Sequence, residues 1–278
     1  MFVRVACETL SMQSRPLVLA TLEGYNVEGG LDLPGTPHTC FAPTIALGRH
    51  QGPGDADNLW REYERVLDAA SLLPLDGIRL GLEWARLAPR PRQWDASALA
   101  RYQEVIDYAA SLNLQVAVAL IGEAWPSWLG LEAWLLPWVA PEVISYVTRC
   151  VDELRRVRGF VVFAEADDLL RRGYVDGTAP PWRKRARDDE KSAALQIAAI
   201  MERLAQNQDV ASRLVVDSLT IDVHDDLDNV LASNVSEVHV RSLVKGTGPT
   251  RAPRGLLVRH AGKWRISPEG EAWAASLR

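Results

Sequence analysis

The sequence predicts an α/β fold of the (β/α) TIM-barrel type, trimmed relative to the usual eight βα units. Three observations lead there. Four β-rich runs alternate with amphipathic helical stretches, each run is too uniformly apolar to have a wet face, and a polar side chain stands just past the end of every run. The expectation is one domain over residues 1–278, with about six core strands.

The four runs are PLVLATL from Pro16, GIRLGL from Gly77, QVAVALI from Gln115 and GFVVFA from Gly159. A helix is expected ahead of the second run, in DADNLWREYERVLDAASLL, where Leu59, Tyr63, Val66 and Leu67 share one face. Between the second and third, DASALARYQEVIDYAASLNL places Leu99, Tyr102, Val105, Ile106 and Ala109 on one stripe, with Asp95 or Ser97 as N-cap. Between the third and fourth, APEVISYVTRCVDELRRV puts Pro141 in the first turn and Val143, Val147, Val151 and Leu154 on the buried stripe. A further helix is expected from Glu190, then strands in SRLVVDSLTIDV and SEVHVRSLV. RGLLVRHAGKWRIS reads as a hairpin, and a last helix is capped by Ser267.

An open doubly wound sheet would carry a glycine-rich phosphate loop at its first crossover. LEGYNVEGG lacks the G-x-G-x-x-G spacing, and no P-loop occurs in the sequence. Barrels build their sites on the loops after the strands' carboxyl ends. Asn26, Glu83, Glu123 and Glu165 hold that position after the four runs, so closure would gather them at one mouth.

Net charge is −5, which argues against nucleic acid as a partner, and the one basic run, WRKRARDDEK, is followed at once by acids. Only four of the 31 basic residues are lysines, as in bacterial proteins from GC-rich coding sequences. Cys7, Cys40 and Cys150 are widely spaced with no CxxC, and no Cys/His cluster has zinc spacing. No metal or other cofactor is expected. TIDVHDDLD places His224 among aspartates, but as adjacent residues of a polar turn. No run of 18 apolar residues exists, and charges interrupt the apolar runs before Pro16, so a cytoplasmic protein with no membrane partner is the expectation.

Taken together, the motifs resemble those of the family 1 glycoside hydrolases, the retaining β-glucosidase-type barrels. GYNVEGG is similar to the family's A-Y-Q-I-E-G. GIRLGLEWARL follows Y-R-F-S-I-E-W-S-R-I through Arg79, Glu83, Trp84 and Arg86, and ALIGEAWPSWL follows T-L-H-H-F-x-x-P-x-W-L at Pro126, Trp128 and Leu129. FAEADDLLRRGYVDGTAPP keeps the glutamate of T-L-N-E-P as Glu165, then Gly173-Tyr174, Gly177 and two prolines. The match holds over residues 17–182, and the chain end follows the family's last strand and helix loosely. The middle of the second half, around the fifth and sixth units, has no counterpart.

The resemblance implies a site of two carboxylates about 5 Å apart, an acid/base and a nucleophile. Glu165 takes the acid/base position, and Arg79 that of the arginine beside the nucleophile. The nucleophile's Y-V-T-E-N-G strand has no match, because the sequence contains no E-N-G. LVVDSLTI puts Ser218 there, or Asp217 if the register slips by one. An aspartate would misplace the attacking oxygen by about 1 Å, enough to cost roughly 100-fold. Sugar-binding positions are altered as well: Asn26 replaces a glutamine, Gly122 a histidine, Ala164 an asparagine and Ala166 a proline.

Glu165 is therefore expected to do proton chemistry on a small-molecule ligand, with Glu123, Asp217 or His224 as its partner. Asn26, Arg79, Trp125 and Tyr174 are the substrate-binding candidates. Glu83 is expected to be structural, paired with Arg79 or Arg86. Two absent units would leave strand edges to be covered, for which a homodimer is one solution.

Overall fold

The computed structural model describes residues 17–73 and 75–215, together with the strand backbones at 218–221, 237–240, 257–260 and 263–266. Each apolar run forms a strand: β1 (Leu17–Leu22), β2 (Gly77–Gly81), β3 (Gln115–Ile121) and β4 (Gly159–Phe163). With β5 (Ser218–Ile221) and β6 (Glu237–Val240) they make a six-stranded sheet in the order β4-β3-β2-β1-β6-β5. Every pairing in it is parallel.

The ends of that order meet. The Phe160 amide of β4 donates to the Arg213 carbonyl at 2.9 Å, and the Val215 amide donates back to the Phe160 carbonyl at 2.8 Å. The chain leading into β5 thus lies on the outer edge of β4, while β5 lies on β6. Six strands return on themselves as a small barrel, where the family pattern has eight. At Phe160 the edge of β4 is covered by the protein's own chain.

The two faces of the strands differ in kind. Leu80, Val116, Val118 and Leu120 are buried beneath the helices, each worth about 1.5–3 kcal/mol of transfer free energy. Between them alternate Gly77, Arg79, Gly81, Ala117 and Ala119, small residues around one arginine, with Arg79 in register with Thr21 and Ala117. Gly77 has no alternative, since a Cβ there would lie 1.9 Å from the Gln115 carbonyl oxygen.

Helices fill the crossovers. After β1 come the short α1 (Gly24–Val27) and α2 (Ala42–Ala46), then α3 (Leu59–Ser71). After β2 come α4 (Trp84–Leu87) and α5 (Ala96–Ser111), and after β3 comes α6 (Val139–Glu153). After β4, α7 (Ala166–Leu170) runs into a π-type turn at Arg171–Asp176, then α8 (Arg187–Ala205) and α9 (Gln208–Ala211) follow. Of the expected stripes, Tyr102, Val105, Ile106 and Ala109 on α5 and Val143, Val147 and Val151 on α6 are buried, while Leu99 is half-buried. Asp95 is the N-cap of α5, accepting from the Ser97 and Ala98 amides at 2.9 and 3.0 Å. Asp95→Ala is expected to cost about 1 kcal/mol, seen as a lower urea midpoint at unchanged slope.

The hairpin is also present, with β7 (Leu257–His260) antiparallel to β8 (Lys263–Ile266). The helix expected after Ser267 lies outside the described residues, as does Cys7. Cys40 and Cys150 are buried free thiols. Among the described residues no helix is long and apolar enough to cross a membrane, and no cluster of His, Cys, Asp and Glu could hold a metal ion.

Candidate active site

A cavity opens at the carboxyl ends of β1 to β4, where barrels place their chemistry. Its floor is made by the strands' small residues, Gly81 and Ala119, and by Arg79. Its walls come from the four loops, which bring Glu23, Glu83, Glu123 and Glu165 to one space.

Glu165 follows β4 directly and precedes α7, with φ 55° and ψ 48°. A non-glycine residue in the left-handed region costs on the order of 1–3 kcal/mol, and such residues cluster at functional sites. This backbone turn leaves the side chain one-fifth exposed, with its Oε1 3.5 Å from the Nη2 of the buried Arg79. The geometry thus pairs the end of β4 with the centre of β2, a contact the sequence reading did not anticipate, since it set Arg79 beside the nucleophile or Glu83.

Glu123 follows β3 and forms a second polar cluster. Its Oε1 accepts from Asn26 Nδ2 at 2.6 Å, and its Oε2 accepts from Arg172 Nη1 at 3.2 Å. Asn26 also donates to Glu23 at 3.2 Å, and Arg172 stands 3.7 Å from Asp168. Asp168 and Arg172 are not among the residues the sequence reading places in the site. Their spacing of four on a helical turn is the available signal, since it puts both on the face that Glu165 begins.

Glu83 departs from expectation. Arg86, one of its expected partners, pairs with Glu28 at 2.6 Å, and Arg79 pairs with Glu165. Glu83 is 4% exposed, and its Oε2 has no hydrogen-bond partner among the described residues. Burial holds its carboxyl well above the usual carboxylate range, and the charges of Glu28 and Glu123 push it further. The side chain packs against Gly24, where a Cβ would come within 2.7 Å of the Glu83 carboxyl. Glu83 thus lines the cavity as a buried carboxyl whose protonated form burial favours, not as half of a structural ion pair.

The loops are held by a buried network beneath them. Tyr102 donates to Glu28 at 2.7 Å and accepts from the Glu83 amide at 2.9 Å, and Arg86 completes the link through Glu28 and the Gly29 carbonyl. This couples the loop after β1, which carries Asn26, to the loop after β2, which carries Glu83.

Two expected ligand contacts sit elsewhere. Trp125 is fully buried, edge-on to Trp134 at 5.4 Å between ring centroids, with its Nε1 donating to the Gly130 carbonyl at 2.9 Å. Tyr174 is buried within the π-type turn after α7 and does not line the cavity. Both belong to the core, because their rings fill the third and fourth units rather than facing the mouth. Trp125→Phe is expected to cost about 1–2 kcal/mol through the lost hydrogen bond and volume, with ligand affinity in the folded protein unchanged. Asp217 and His224 lie outside the described residues.

No family model matches the chain. Among curated proteins, a beta-glucosidase of Oryza sativa subsp. japonica is 26% identical over 171 residues, covering 59% of this chain and 32% of that protein. A 6-phospho-beta-galactosidase of Clostridium acetobutylicum is 26% identical over 140 residues, covering 48% of this chain and 29% of that protein. Among solved structures, the family 1 β-glucosidase of Exiguobacterium antarcticum B7 superposes with a TM-score of 0.62 at 19% identity, covering 74% of this chain and 48% of that one.

The fold resembles that of the family 1 glycoside hydrolases.

The chain spans about a third of the length of the curated relatives it matches and about half that of the solved structure. β6 pairs in parallel with β1. Glu165 and Arg79 face one another. At the altered positions the walls are thinner: Ala164 lines the cavity, and nothing lies within 4 Å of where a Cβ on Gly122 would stand.

Proposed function

We propose that this barrel carries out acid/base chemistry on a small, glycoside-like molecule, with Glu165 as the group that moves the proton and without the family's glutamate nucleophile. The observation that carries the reading is Glu165 itself. It stands at the carboxyl end of β4 in a left-handed backbone conformation and reaches Arg79 across a cavity at the strands' carboxyl ends. Asn26, Arg79 and Arg172 are the polar groups that would orient the ligand, and Glu123, Asp217 or His224 would act as the partner of Glu165.

The test is release of an aryl alcohol from a panel of aryl β-glycosides by wild type and Glu165→Gln, with and without azide. Turnover by wild type that falls in the variant supports the reading, and retained product stereochemistry would mean that another carboxylate attacks the anomeric carbon. Turnover untouched by the substitution sinks it.

A second reading, a barrel that binds its ligand without transforming it, is favoured by the open space at Gly122 and the bare methyl of Ala164. Ligand binding with no turnover of any aryl glycoside would select it.

A further inference from the structure

Five carboxyl groups line the described part of the cavity, on Glu23, Glu83, Glu123, Glu165 and Asp168, against two guanidinium groups, on Arg79 and Arg172. The two arginines are committed. Arg79 stands 3.5 Å from Glu165, and Arg172 stands 3.2 Å from Glu123 and 3.7 Å from Asp168. Glu23 accepts from the Asn26 amide. Glu83 is the most buried of the five, yet among the described residues its Oε2 meets no hydrogen-bond donor and its carboxyl forms no ion pair. A buried polar atom left without a partner calls for one, in the form of a water, an ion or a ligand group.

We infer that the cavity takes an amine-bearing polyol, such as an amino sugar, with its ammonium group held by the Glu83 carboxyl. This rests on the reading of the cavity as a small-molecule site and adds the chemical class of the molecule. The remaining wall groups, the Glu23 and Glu123 carboxylates and the Arg172 guanidinium, are acceptors and donors suited to hydroxyls. A neutral sugar would satisfy the wall but leave the excess of carboxyl groups uncompensated. An ammonium supplies the direct contact that no arginine of the described residues makes with Glu83, where Arg86 acts only through its field.

The proton inventory gives this inference a signature. The titratable and charged groups around Glu83 are Glu28, Asp32 and Cys40 after β1, Arg86 on α4, Tyr102 on α5, Glu123 after β3 and Tyr146 on α6. Only Arg86 among them is cationic, and it is held by Glu28. Burial therefore favours the protonated form of Glu83 in the free protein, and an ammonium seated on the carboxyl favours release of that proton to the buffer.

The experiment is titration calorimetry at pH 6.5 with glucosamine, glucose and N-acetylglucosamine, in two buffers of different ionisation enthalpy. Glucosamine is expected to bind at least tenfold more tightly than either neutral sugar and to release up to one proton. In Glu83→Gln, an isosteric change checked for folding by circular dichroism, the preference should fall below threefold. Equal affinities for the three sugars in wild type would overturn the inference while leaving the small-molecule site standing. So would a glucosamine preference with no proton release, or one that persists in the variant, since either places the ammonium on another carboxylate. Binding of none of the three would overturn both this inference and the reading beneath it. Proton release is read in wild type alone, so the outcome does not depend on the variant's folding.

Discussion

Arg86→Ala is expected to destabilise the protein by about 3–5 kcal/mol, the cost of removing one partner from a buried ion pair. Arg86 and Glu28 are 6% and 1% exposed, so bulk water cannot stand in for the lost guanidinium. The arginine also lies over the Trp60 ring at 4.1 Å and donates to the Gly29 carbonyl, so packing and a hydrogen bond are lost with the charge. Burial already raises the Glu28 carboxyl above its usual range, against the opposing pull of Arg86 and Tyr102. Removing Arg86 raises it further. A carboxyl whose folded value is raised binds more protons in the native state, so stability falls as pH rises above the unfolded value, near 4.5. The penalty of Arg86→Ala should therefore be largest at neutral pH and shrink toward pH 4, where Glu28 is protonated in both states. Denaturant midpoints at pH 4 and pH 7 check the sign. Arg86→Met combined with Glu28→Gln should recover much of the loss, because it removes the orphaned charge along with its partner. A single-variant loss that is independent of pH would mean that packing, not charge, holds the two loops together.

How far this architecture could be read beforehand depends on what each residue's neighbours are. β1 to β4 were legible because burial on both faces leaves an uninterrupted apolar run, and α5 and α6 because their stripes repeat at helical spacing. Glu165 and Arg79 were legible from their order in the chain. Closure at six strands was not, since it rests on Phe160 meeting Arg213 and Val215, more than fifty residues away, and no local pattern announces that pairing. The aromatic residues misled for a related reason. A tryptophan after a strand looks the same whether it faces a ligand or, like Trp125, packs against Trp134. Arg86 is three residues from Glu83 on a helical turn, which suggested a local pair. Its guanidinium instead goes to Glu28, brought close by the parallel pairing of β1 and β2. Glu83 is consequently left to the cavity, and that reassignment could come only from the folded arrangement.

Glu165→Gln carries the other large expectation, and its size should depend on the leaving group. Proton transfer by a positioned carboxyl contributes about 10²- to 10⁴-fold. A glycoside with a poor leaving group needs that proton in the transition state, so its turnover should fall by about that factor. A strongly activated aryl glycoside departs as a stable anion and needs little help, so its loss should be tenfold or less in the bond-breaking step. The introduced amide keeps the size of the side chain but cannot accept or return a proton, and it cancels the ion pair with Arg79. Ground-state binding of a neutral glycoside is therefore expected to change less than turnover does, a split between KM and kcat that a purely structural role would not produce. Azide separates two routes in the variant. An anion that enters the emptied charge position and restores release, giving a glycosyl azide, would show that an electrophilic anomeric centre forms in this cavity despite the missing E-N-G. Equal losses for good and poor leaving groups would mean that Glu165 holds Arg79 in place and moves no proton.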